Sequence, residues 1–101
     1  MAQMSVKFDY DREADILYIT LGTGEPSYCE EVDDMLLIER GLTTNAITGF
    51  RILDVRYHGI QKVGVEVSRV IEEEKPRFWM PHLDSIKRKF ESEHLKNMVH
   101  A

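Results

Sequence analysis

Val6-Lys7-Phe8-Asp9-Tyr10-Asp11-Arg12-Glu13-Ala14-Asp15-Ile16-Leu17-Tyr18-Ile19-Thr20-Leu21 is the stretch on which the fold turns. Val6, Phe8 and Tyr10 alternate with Lys7 and Asp9, the period-2 pattern of a half-buried strand. Asp11 to Asp15 is a polar connection. Ile16 to Leu21 is apolar on both faces, as expected of a central strand. Gly22-Thr23-Gly24-Glu25-Pro26 then carries a strong turn signal and reads as a hairpin turn. Further strands are expected over Ser27 to Val32, Met35 to Glu39 and Ala46 to Val55, with a break at Gly41 to Asn45. Gly49 marks a bulge or a close approach of two backbones. Short strands joined by short turns favour antiparallel neighbours.

The second half changes character. Val63, Val65 and Val67 alternate like a strand, whereas Ile60, Val63, Val67, Val70 and Ile71 fall on one helical stripe. β-branched residues favour the strand, and Arg69 to Lys75 favours helix. A short strand passing into a helix is therefore expected between Gly59 and Lys75. Pro76 and Pro81 bracket Arg77-Phe78-Trp79-Met80, an expected extended segment. Asp84 or Ser85 can cap a final helix that aligns Ile86, Phe90, His94 or Leu95, and Met98. The expected fold is α+β: one domain over 1–101, with an antiparallel β-meander of about five strands (6–55) and an extension (56–101) that ends in a C-terminal helix.

The chain has 101 residues and a net charge of −5. No apolar run approaches the ~20 residues of a membrane helix, and Met1 to Ser5 has no signal-peptide pattern. A cytoplasmic protein without membrane contact is expected. The single cysteine, Cys29, excludes an intramolecular disulfide and a cysteine-based zinc site. Beside Glu30 and Glu31 it reads as a buried small hydrophobe, not a reactive thiolate. Residues 1–75 hold 8 basic and 15 acidic side chains. Phosphate binding needs clustered Lys and Arg. Lys87-Arg88-Lys89 is the one basic run, and consecutive helix residues point apart. No nucleic-acid partner is expected.

Asp9, Asp11, Glu13 and Asp15 mimic the alternating ligands of an EF-hand loop. The glycine required at the sixth position is Ala14, and the terminal glutamate is Thr20. A turn whose carboxylates accept local backbone N–H bonds fits better. Glu30-Glu31-Val32-Asp33-Asp34 concentrates four carboxylates. Such a cluster suits an acid/base pair or a hard cation, but a charged strand edge fits better because no nucleophile or paired histidine lies nearby. Glu91 and His94 have the Glu-x-x-His spacing of di-iron bundles, without the second motif that such a site needs. No metal or other cofactor is expected. Phe78-Trp79-Met80 cannot all face one core from an extended segment, and aromatics and Met are enriched in interface cores. These three residues are the candidate interface, and a homodimer is expected.

Tyr10-Asp11-x-x-x-Asp15-x-x-Tyr18-Ile19, Glu30-Glu31-Val32-Asp33-Asp34 and Gly49-Phe50-Arg51-Ile52-Leu53-Asp54 together resemble a small prokaryotic family, domain of unknown function 2283. The resemblance covers Val6 to Asp54. It implies a compact β-rich domain opening with two strands around the Tyr-Asp…Asp-x-x-Tyr turn, and it implies no catalytic activity. It also implies a partner-binding role of the antitoxin kind, beside a small toxin-like protein. The motif residues of unassigned role are Tyr10, Asp11, Asp15, Tyr18, Glu31, Asp33 and Asp34. Met35 stands where the family usually has glycine. Arg40 to Asn45 replaces its Asp-Gly hairpin, and Arg51 stands in a usually acidic place.

Function is read as a non-catalytic protein-interaction or oligomerisation module. The alternatives are a metal-dependent hydrolase using the acidic cluster, and the antitoxin-like partner.

Overall fold

The computed structural model describes residues 6–22, 25–74, 76 and 81–100. Among the described residues five strands come first: β1 (Val6–Asp11), β2 (Ile16–Leu21), β3 (Ser27–Glu31), β4 (Leu36–Gly41) and β5 (Ile47–Leu53). Four helices follow among them: α1 (Val55–His58), α2 (Ile60–Glu74), α3 (Pro81–Phe90) and α4 (Glu93–His100). The strands form one antiparallel sheet in the order β1-β2-β5-β4-β3. The α+β class and the antiparallel meander with a helix near the C-terminus match the sequence reading.

Gly22 to Pro26 is not a hairpin turn. β2 pairs with β1 and β5, and β3 lies at the far edge. Glu25 and Pro26 lie against the β4–β5 turn. There Pro26 O accepts the Leu42 N–H, and the Glu25 carboxylate accepts the amides of Thr43 and Thr44. A buried central β5 is a better neighbour for apolar β2 than the wholly exposed β3.

Register assigns the two faces. Tyr10 lies opposite Leu17, Phe8 opposite Ile19, Leu17 opposite Ile52, and Ile38 opposite Phe50. These residues face the helices. Leu17, Ile19, Leu36, Ile38, Phe50 and Ile52 are buried there, with Val63, Val67, Val70 and Ile71 of α2, Ile86 of α3, and Leu95 and Val99 of α4. Burial of this size is the main stabilising term of the domain. Phe8 meets Phe90 edge-to-face at 6.0 Å, which joins the β1 edge to α3.

Three local expectations need correction. Ile60 to Glu74 is helical throughout, and no strand begins it. The stripe Ile60, Val63, Val67, Val70 and Ile71 is buried, while Val65 is 67% exposed. A strand would have placed Val65 beside Val63 and Val67 on one face. The final helix is two helices, broken at Glu91-Ser92. Ser92 Oγ accepts the Leu95 N–H at the start of α4 and donates to Lys89 O at the end of α3. One serine thus closes one helix and caps the next. Glu91 and His94 therefore do not share a helix face. Cys29 is exposed on the edge strand β3, not buried, because it lies opposite Glu39 on the face that carries no helix among the described residues.

Among the described residues, no helix is long and apolar enough to cross a membrane.

Candidate functional site

The Tyr-Asp…Asp-x-x-Tyr motif is an architectural joint. Asp11 Oδ1 accepts the amides of Glu13 and Ala14 at 3.1 Å each, closing the β1–β2 turn as an Asx-turn. Asp15 ends that turn with φ 58°, a left-handed conformation that Asp tolerates. Its carboxylate accepts the Tyr10 hydroxyl at 2.5 Å. It also accepts the Arg56 amide at 3.0 and 3.1 Å, and Arg56 Nε lies 3.4 Å away. Its own carbonyl accepts the Val55 amide at 3.2 Å. Asp15 therefore holds the start of α1 against the first turn.

These contacts set the protonation states. Burial raises the Asp15 carboxyl, but the bonds from Tyr10 and the Arg56 amide, with the Arg56 charge, outweigh it and hold the group below the usual carboxylate value. Burial first, then the bond to anionic Asp15, raises the Tyr10 phenol. Arg56 lies 41 residues from Asp15, so no local signal announced it.

Tyr10 and Tyr18 lie on opposite faces. Tyr18 is opposite Asp9 and Arg51, on the face that carries no helix among the described residues. There the Arg51 guanidinium sits 5.5 Å from the Tyr18 ring centroid and reaches Glu39 at 3.3 Å. Cross-strand neighbours build one continuous row: Asp9, Tyr18, Arg51, Leu37 and Glu31. Ile16 and Leu53 are paired beside it. Ile16, Tyr18, Leu37 and Leu53 are partly buried. Arg51 thus stands at the centre of this face.

The acidic stretch disperses. Asp33 Oδ1 accepts the amides of Met35 and Leu36 at 2.9 and 3.0 Å, so it shapes the β3–β4 turn. Glu30 receives a hydrogen bond from Arg40. Glu31 lies on the helix-free face, opposite Leu37, and Asp34 is exposed in the turn. Among the described residues no group of three or more His, Cys, Asp and Glu side chains is placed to hold a metal ion.

Arg40 and Glu74 were not singled out from the sequence. Both are buried. Arg40 donates to Glu30, to Glu74 and to the Asn45 carbonyl. The bond to Glu74, against the cost of burial and with help from Glu30, raises the guanidinium above its ordinary pKa. The pair bolts the end of α2 onto β4. A signal existed: alternation from Leu36 through Ile38 places Arg40 on the core face. Phe78, Trp79 and Met80, the expected interface, lie outside the described residues.

No curated protein and no solved structure matches the chain. Residues 7–56 match the model of a protein family of unknown function, DUF2283. That span begins in β1, ends in α1 and contains both the Asp15–Arg56 joint and the Arg51 face, and by it the β unit of this chain belongs to the DUF2283 family.

Proposed function

We propose that this chain is a non-catalytic interaction module that self-associates through the helix-free face of its sheet. The supporting observation is the placement of Ile16, Tyr18, Leu37 and Leu53 around Arg51 on a face without a helix among the described residues. The carboxylates of Asp11, Asp15, Asp33 and Glu30 are engaged in turns and ion pairs. That leaves them architectural work in place of acid/base chemistry.

Area decides how strong the association is. Five strands ~4.8 Å apart and about six residues long span roughly 400 Å² in projection. A standard interface uses about 800 Å² per partner. The face alone thus supports a weak, concentration-dependent dimer. Phe78, Trp79 and Met80 are proposed to supply the remaining apolar contact. Cytoplasmic residence belongs to the same proposal.

Sedimentation equilibrium over a wide concentration range tests it. The chain is expected to dimerise, and Leu37→Lys with Leu53→Lys is expected to abolish the dimer while the monomer stays folded by circular dichroism. Trp79 is the single tryptophan, and its emission is expected to shift on dilution. A monomer at every concentration overturns the reading.

A further inference from the structure

We infer that the groove between the edge strand β3 and the last turn of α2 receives an arginine side chain from a basic, extended segment of a protein partner. The groove has a volume of about 300 Å³, and Glu30, Glu31, Glu73, Glu74 and Arg40 line it. A water takes about 30 Å³ of liquid volume, so the space suits one long side chain. Glu30 and Glu74 share the Arg40 guanidinium, Glu73 pairs with Arg69 at 3.2 Å, and Glu31 borders the groove from β3 with its side chain on the helix-free face. Arg40 donates to Glu30, Glu74 and Asn45 O. The groove retains an excess of negative charge.

Glu74 supplies an independent observation. Its side chain is only 8% exposed. Its Oε1 accepts Arg40, but its Oε2 is buried with no hydrogen-bond partner. A buried carboxylate oxygen without a donor is unfavourable, and a donor entering the groove answers that deficit once the Glu74 carboxylate turns towards it.

The chemistry selects the ligand. A divalent metal needs several oxygens converging on one point, and no such group exists among the described residues. A planar guanidinium spreads five N–H donors over separated acceptors. Ile38 and Val70 give its methylene stem an apolar wall. The source follows from the neighbourhood. β3 is a sheet edge, and an edge accepts an extended chain as an added strand. The acidic residues 1–75 attract a basic one. This inference does not depend on the helix-free face.

The test is NMR titration of the full chain with a capped extended peptide containing one central arginine. The lysine and citrulline versions and free arginine are titrated in parallel. The arginine peptide is expected to shift the amides of β3 and of the end of α2, with affinity falling as salt rises. Citrulline is expected to weaken binding at least tenfold. Glu74→Gln alters a buried pair and can unfold the chain, so Glu73→Gln, at an exposed side chain, is the main variant. It is expected to keep the fold and weaken binding severalfold. Equal binding of the citrulline peptide, shifts elsewhere on the molecule, or free arginine binding as tightly as the peptide each overturns the proposal.

Discussion

The Tyr10 hydroxyl lies 2.5 Å from Asp15 Oδ1, across the β1–β2 turn. The same carboxylate carries the amide of Arg56 at the start of α1. One side chain thus joins the first turn of the sheet to the first helix. Tyr10→Phe is expected to cost about 1.5–2 kcal/mol, the lower part of the range for a hydrogen bond to a charged acceptor. Asp15→Ala is expected to cost more, about 2–4 kcal/mol, because it also strands the Arg56 amide and strains a residue at φ 58°. Asp15→Asn tolerates that backbone and should fall between them. Urea midpoints check the order.

The same pair predicts a pH window. The Asp15 carboxyl is lower in the folded chain than its ordinary 3.8. Its contribution is therefore complete above that value and is lost as pH falls through the lower, folded value. The Tyr10 phenol is raised above 10.0, so its contribution is complete below that pH and fades as pH rises past it. The stability gap between the native chain and Asp15→Asn should be constant between these limits and close in acid. Denaturant melts across pH measure it.

Arg40→Met leaves Glu74 buried without its counter-ion. Breaking one half of a buried pair costs about 3–5 kcal/mol. The double variant Arg40→Met, Glu74→Met is expected to recover most of that loss, because two apolar groups have no unmet hydrogen bonds. Comparison of the single and double variants by urea unfolding decides it.

Two glycines should respond differently to alanine. A Cβ on Gly49 would sit 2.6 Å from the Ile19 carbonyl oxygen, a backbone atom of the neighbouring strand. Gly49→Ala should cost roughly 1–3 kcal/mol by overpacking. A Cβ on Gly64 would approach Phe90 at 3.2 Å, within α2. There the ~1 kcal/mol gain in helix propensity offsets the crowding, and the variant should be near neutral. Thermal melts separate the two.

The strands were legible because their pattern is local. Val6, Phe8 and Tyr10 alternate, and the unbroken apolar run Ile16 to Leu21 marks a central strand. The Asp11 turn was legible for the same reason: its partners are Glu13 and Ala14. α2 was harder, since its valines satisfy both periods. Only the sheet beneath it chose the helical stripe and left Val65 outside. The final helix misled because its apolar spacing runs across Ser92, whose capping bonds are a matter of side-chain geometry.

Local order along the chain was enough to determine the strands of the antiparallel β unit, the Asp11 turn and the family. Tertiary structure alone decided that β3 lies at the far edge, that Cys29 is exposed, that Asp15 reaches Arg56 and that Arg40 reaches Glu74. The physical reason is separation in the chain. A period or a turn acts over a few residues, whereas these partners lie 34 and 41 positions apart. They meet only because burying one face of the sheet under the helices brings them together.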